Sequence, residues 1–211
     1  MIELIIPGTK TKLKIIRAIY EKPGINITEL IKETRSSPNT VLAYTNELAR
    51  QKIIKQVNIG GKKKIHIKRL FPDFSSENSR LIFSLVEHEK KMELFKRYKE
   101  IVPYMEQMND LFHDSIAFAL LYGSYARSAA TEESDIDIIV VGALEPEKRQ
   151  RLKEIFSTSK APASIKTETL PQFLKNREKP LYQNILKEHI IICGSYKFVS
   201  MIEQNRPFFD Q

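Results

Sequence analysis

Between Ile116 and Val141 the chain has little choice of fold. An apolar run, Ile116-Ala117-Phe118-Ala119-Leu120-Leu121-Tyr122, stops at Gly123-Ser124, and a second run, Ile138 to Val141, starts just after Asp135 and Asp137. Short apolar runs bounded by turn residues read as buried strands, so the stretch is expected to form strand, tight turn, short helix, strand. Residues two apart on a strand share a face, so Asp135 and Asp137 aim two carboxylates at one spot. Carboxylates that close repel each other and resist burial. A divalent cation removes the conflict, and Mg²⁺ takes oxygen ligands together with substrate phosphates. Gly123 lets a phosphate approach the backbone, and Ser124 opens a helix whose unpaired N–H groups favour anions. The alternative role for the two aspartates, starting a strand on a solvated edge, leaves the Gly-Ser pair at that distance unexplained.

A Gly-Ser pair followed by Asp-x-Asp resembles the signature of the nucleotidyltransferase superfamily. The register is closer to one branch, the minimal nucleotidyltransferases, with Gly123, Ser124, Ala126, Arg127, Ala130, Ser134, Asp135, Ile136 and Asp137 all in place. Ser128 departs from the pattern, which has glycine there. The resemblance implies a mixed-sheet α/β domain that binds a nucleoside triphosphate, ATP foremost, with Mg²⁺ or Mn²⁺. It implies nucleotide contacts from Gly123, Ser124, Arg127 and Ser134, and catalytic and metal-holding roles for Asp135 and Asp137. The family's third carboxylate belongs on the next strand, expected over Ala163–Thr169. There the best register puts Lys166 where an acid is expected, while Glu168 lies two residues on along the same face. Glu168 serves as the third catalytic and metal-binding acid if the register slips by one pair; a lysine in that place leaves a nucleotide-binding domain without transfer activity.

The chain of 211 residues allows one or two domains, and 42% hydrophobic residues suffice for a packed core. One cysteine, Cys193, excludes an internal disulfide, suits a reducing compartment and reads as a buried strand residue. No apolar run reaches about 18 residues and no signal-peptide pattern opens the chain, so a soluble, cytoplasmic protein without a membrane partner is expected. The histidines (His66, His88, His113 and His189) lack zinc-ligand spacing. No Walker-type loop, Rossmann fingerprint or Ser-His-Asp order is present.

The net charge of +8 is unevenly placed: residues 1–72 hold 15 basic and 5 acidic residues, a net of +10, and residues 73–211 hold 19 and 21, a net of −2. A basic module joined to a near-neutral one is the footprint of a nucleic-acid binder fused to something else. Periodicity predicts a helix over Lys10–Tyr20, a break at Pro23-Gly24, a second helix from Thr28 as N-cap to Thr34, and a third that Ser36-Ser37-Pro38 starts. Alternating strands follow at 53–59 and 65–67, joined by Gly60-Gly61 with Lys62, Lys63 and Lys64 at the tip. Three helices and a basic hairpin resemble a winged helix-turn-helix domain. That implies binding of double-stranded DNA, with Asn39, Thr40, Tyr44 and Asn46 of the third helix facing bases or phosphates and the three lysines on phosphates. A winged helix kept as a protein-interaction module is the other use of the same fold.

The expected fold class is therefore α+β, in three parts: a winged helix over 1–72, a helical connector over 73–102 and a nucleotidyltransferase-like domain over 103–211. The connector carries a long helix, Ser79 to Tyr98, whose faces leave a homodimer open. Further helices are expected over Tyr104–His113, Glu145–Phe156 and Pro180–Glu188. A strand is expected over Ile190–Cys193, and Gly194 then turns into a further apolar strand segment at Tyr196–Val199. Three functions stay open. One is a DNA-binding regulator that transfers a nucleotidyl group to a small-molecule or protein acceptor. The second is a non-catalytic regulator with a sensor or dimerisation domain. The third is an antitoxin-like partner of a HEPN-type toxin.

Overall fold

A computed structural model describes residues 10–60 and 66–204. Its described residues form two compact units, 10–86 with 199–204, and 87–198. The expected connector is divided between them at Val86 and Glu87.

In the first unit, α1 (Lys10–Glu21) is followed by β1 (Ile25–Asn26), α2 (Ile27–Thr34), α3 (Pro38–Arg50), β2 (Ile54–Gly60) and β3 (His66–Pro72). Asn26, not Thr28, caps α2: its side chain accepts the Glu29 N–H and the Glu29 carboxylate accepts the Asn26 N–H, both at 2.9 Å. This reciprocal box satisfies two donors that a helix start otherwise leaves open. Ser37 caps α3, with Pro38 in its first turn as expected. The two-residue β1 adds to the hairpin, giving an antiparallel sheet in the order β1-β3-β2. Ile15, Ile16, Ile19, Leu30, Val41, Leu48 and Leu70 are fully enclosed beneath it. Each such side chain contributes roughly 1.5–3 kcal/mol of burial. Lys62, Lys63, Lys64 and the second turn glycine, Gly61, lie outside the described residues.

The helix α4 (Glu77–Arg97) leads through a 3₁₀ turn (Lys99–Ile101) into α5 (Val102–Phe112). The second unit then runs β4 (Ile116–Tyr122), α6 (Gly123–Ala126), β5 (Ile136–Gly142), α7 (Pro146–Ser157) and β6 (Ala163–Glu168). It continues with α8 (Leu170–Asn176), α9 (Pro180–Lys187) and β7 (Ile190–Cys193), and α10 (Ser195–Gln204) follows, its residues from Val199 on belonging to the first unit. The sheet order is β6-β5-β4-β7, with β5 and β6 parallel and the other pairs antiparallel, so the sheet is mixed. The crossover helix α7 that joins the parallel pair is what such a connection requires. One face of the sheet, with Ala119, Leu121, Ile138 and Val140, belongs to the core that Met105, Met108 and Phe112 of α5 and Leu152 and Phe156 of α7 fill. On the other face Phe118 meets Phe173 and Phe198 edge-on at 5.3 and 5.1 Å.

Two helices differ from the sequence expectation. Tyr196–Val199 is not strand but part of α10, because Gly194 breaks the strand at φ +73° and the buried residues Phe198, Met201 and Ile202 recur at helical spacing. The helix α8 was unanticipated, although a capping box of Thr169 with Gln172 marks its start. Cys193 lies in β7 as expected but is only partly enclosed, and burial pushes its thiol up to about 11.

His189 gives this unit a pH dependence. Its Nδ1 bonds the Ile185 carbonyl at 3.0 Å, its Nε2 is sealed without a hydrogen-bond partner, and its ring edge meets Phe198 at 4.9 Å. Burial lowers its pKa to about 4; Glu87 opposes that shift and Lys90 adds to it. The folded state keeps the ring neutral while the unfolded chain takes up a proton below about 6.5. The stabilisation is therefore complete above about 6.5 and lost as the pH falls toward 4, a loss of about 2–3 kcal/mol. Urea midpoints at pH 7 and 4.5 should drop further for the native chain than for His189→Phe. Equal drops would exclude His189 as the source.

Candidate active site and nucleic-acid interface

The bend after β4 and the acids at the head of β5 converge. Tyr122 is the cross-strand partner of Asp137, which places the start of β5 beside the Gly123 turn. Gly123 sits at φ +72°, and a Cβ built on it would lie 2.4 Å from Asp137 Oδ2. Only glycine leaves that space open and adopts the backbone without penalty. Asp135 is exposed just before the strand and Asp137 is half-buried. Burial raises the Asp137 pKa, the Asp135 charge raises it further, and Arg127 pulls it back. The pair is thus a spot where negative charge is crowded and a cation is welcome.

The helix after the bend is a single turn of four residues. It is tied by Arg127 N–H to Gly123 O at 3.2 Å and Ala129 N–H to Ser124 O at 2.9 Å. Tyr125 is buried and stacks edge-on with Tyr98 at 4.9 Å. Ser128 has φ +59°, a left-handed conformation that accounts for the glycine of the family pattern at that place. Arg127 is exposed, with Glu188 at 3.7 Å. Ser134 shapes the loop that delivers Asp135: its hydroxyl accepts the Thr131 N–H at 2.9 Å, and its own N–H bonds Thr131 O at 3.1 Å.

The parallel ladder fixes which residues of β6 stand beside which residues of β5. It runs from Ile136↔Ala163 through Asp137↔Ser164 and Ile139↔Lys166 to Val141↔Glu168. Exposed Ser164 therefore stands beside Asp137, Lys166 comes next on that face, and Glu168 lies about 13 Å further along the strand than Ser164. The structure brings Glu168 together with Lys166, Tyr182 and Asn176 rather than with the aspartate pair. Lys166 Nζ donates to Tyr182 OH at 2.5 Å and lies 3.0 Å from Glu168 Oε1; the Tyr182 hydroxyl donates to Glu168, and Asn176 Nδ2 reaches it at 3.4 Å. Among the described residues no group of three or more His, Cys, Asp or Glu side chains is arranged to hold a metal ion. Tyr122, Ser164 and Tyr182 were not singled out from the sequence. Tyr122 carried a signal, its place directly before Gly123, whereas Tyr182 lies on a separate helix that nothing local ties to Lys166.

In the first unit, Asn39 of α3 is exposed and heads a stripe with Leu42, Ala43, Asn46 and Arg50, all exposed at helical spacing. That periodicity was available in the sequence and defines the free face better than individual residues do. Thr40 is drawn into the cap, its Oγ1 2.8 Å from Ser37 Oγ. Tyr44 is half-buried under the Lys12 ammonium, 5.6 Å from the ring centroid. Lys12 also bonds Glu47 at 2.6 Å.

Fold and site together define a winged helix joined to a mixed-sheet domain built around a Gly-Ser bend and an Asp-x-Asp strand. Residues 89–197 match the polymerase beta nucleotidyltransferase family, and the chain belongs to it. Residues 9–55 match the winged helix-turn-helix DNA-binding family, so the N-terminal domain is of that kind. No curated protein matches the chain. No helix among the described residues is long and apolar enough to cross a membrane.

Proposed function

We propose that this protein binds double-stranded DNA and regulates transcription, and that its C-terminal domain binds a nucleoside triphosphate, ATP foremost, with Mg²⁺ or Mn²⁺. The observation that carries the nucleotide reading is the convergence of the Gly123 bend on Asp137. Two hard oxygen donors beside a turn that a Cβ would fill suit one cation and the polyphosphate it accompanies. Asp135 and Asp137 would hold that cation. When bound it would neutralise phosphate charge and orient the α-phosphate for displacement.

Gly123 keeps the backbone open to the triphosphate, Ser124 and Ser134 line the turn and the loop beside it, and exposed Arg127 offers charge from the short helix. In nucleotidyl transfer the acceptor hydroxyl oxygen bonds the α-phosphorus as the bond to the bridging oxygen breaks. Pyrophosphate leaves with that electron pair, and the hydroxyl proton passes to solvent or a base. The second reading, a nucleotide sensor without transfer, is favoured by a specific observation: Ser164, not a carboxylate, stands opposite Asp137. Incubation with α-³²P-ATP and Mg²⁺ separates the readings, since a transferase labels an acceptor and releases pyrophosphate while a sensor only retains nucleotide. Absence of both retention and transfer would end the nucleotide reading.

For DNA, the stripe from Asn39 to Arg50 supports a recognition face, and the charge of the N-terminal part supports phosphate contacts. Replacing Lys62, Lys63 and Lys64 together by alanine is expected to weaken binding to all sequences and to reduce the slope of log K against log salt by about 3. Asn39→Ala should change sequence preference instead. An unchanged salt slope would remove the three lysines from the interface.

A further inference from the structure

On the open end of the sheet face that carries Asp137, the residue that projects a charge from the neighbouring strand is a lysine. Its surroundings are built to hold it there. The Lys166 ammonium has three N–H donors. One goes to the Tyr182 hydroxyl at 2.5 Å and one faces Glu168 Oε1 at 3.0 Å, which leaves one donor on a side chain that is 42% exposed. The groups that pin it are themselves enclosed: Tyr182 is buried and the Glu168 side chain is 8% exposed. The Tyr182 hydroxyl relays to Glu168, so the carboxylate, the phenol and the ammonium form one chain of charge-assisted bonds.

The same face connects Lys166 to the aspartates. Tyr122 is the cross-strand partner of Asp137, and burial first, then the Asp137 charge, raises its phenol pKa while Lys166 lowers it. Both charges therefore reach one ring. Lys166 itself is held firmly protonated, chiefly by its bond to Tyr182. Exposed Ser164, a small residue, stands beside Asp137 and two residues before Lys166 on the same face.

We infer that Lys166 is the polyphosphate anchor of this site, its ammonium taking the place of a second cation, so that the site holds a single divalent ion. The ligand class is the β,γ-polyphosphate of a nucleoside triphosphate. Glu168 is a positioning residue that orients Lys166. This inference rests on the nucleotide reading above.

The test uses the full chain, α,β-methylene-ATP as a non-reacting probe and Mn²⁺ counted by electron paramagnetic resonance. The native protein should bind one Mn²⁺ per chain with the analogue. Lys166→Met should leave that count unchanged and weaken the analogue about 10- to 50-fold. Lys166→Arg should restore most of the affinity, and Lys166→Glu should raise the count toward two. Circular dichroism melts identify any variant that has lost its fold. Equal affinity of the native protein and Lys166→Met, or two Mn²⁺ per native chain, would overturn the Lys166 assignment and leave nucleotide binding intact. No binding of analogue by the native chain would overturn both.

Discussion

Gly194→Ala is expected to destabilise the nucleotidyltransferase domain by about 3–5 kcal/mol and to lower its melting temperature by about 10–20 °C. Two penalties combine at this position. The backbone is left-handed, with φ +73°, where an alanine costs roughly 1–2 kcal/mol. The added Cβ would also lie 2.1 Å from the Ala117 carbonyl oxygen and 2.7 Å from Phe118 Cα. Both are backbone atoms of β4, a central strand, so they cannot swing aside as the end of a side chain does. A domain of this size has a total stability of only about 5–15 kcal/mol, so the loss approaches the whole margin. Differential scanning calorimetry reads the result. A transition within about 3 °C of the native one would mean that β4 yields at Ala117 and Phe118.

Gly123→Ala is expected to do the opposite: little to the fold and much to the site. The left-handed cost is the same, about 1–2 kcal/mol. Here, however, the contact at 2.4 Å is with Asp137 Oδ2, the end of a side chain that can rotate away. The strain is relieved by moving the carboxylate out of the place where it meets Asp135 and the bend. Mg²⁺-dependent ATP affinity, measured by calorimetry, should fall about 100-fold or more, as it should for Asp137→Asn, while the melting temperature shifts by only a few degrees. If Gly123→Ala bound Mg²⁺ and ATP like the native chain, the bend and the aspartate would not share a pocket.

These two glycines show how unequally the sequence reveals its own consequences. Gly123 announces itself through the serine after it and the aspartates beyond. Gly194 looks like any turn residue, and its importance lies in Ala117, more than seventy residues away, which no local pattern connects to it. The same holds for the helices. Ser37-Pro38 is a local signal and is found where expected, whereas of the two aspartates only Asp137 lies in β5 and Asp135 precedes it. The Asn26 box was legible in Asn26-x-x-Glu29, yet Thr28 is an equally good capping residue type, and only the backbone chooses between them. The segment after Cys193 could be strand or helix, because four apolar residues match either period until packing decides.

What the sequence determined by itself is the class of the protein: a basic three-helix module with a wing, and a sheet domain whose Gly-Ser bend faces an acidic pair. Those features are encoded by residues close together in the chain, where sterics and alternation act directly. Tertiary structure alone decided who accompanies the pair. Alternation puts Ser164, Lys166 and Glu168 on one face of β6, but which of them stands beside Asp137 depends on the register that the α7 crossover imposes between two strands. That register places the serine there. It commits Glu168 to Lys166 and to Tyr182, a partner contributed by a separate helix.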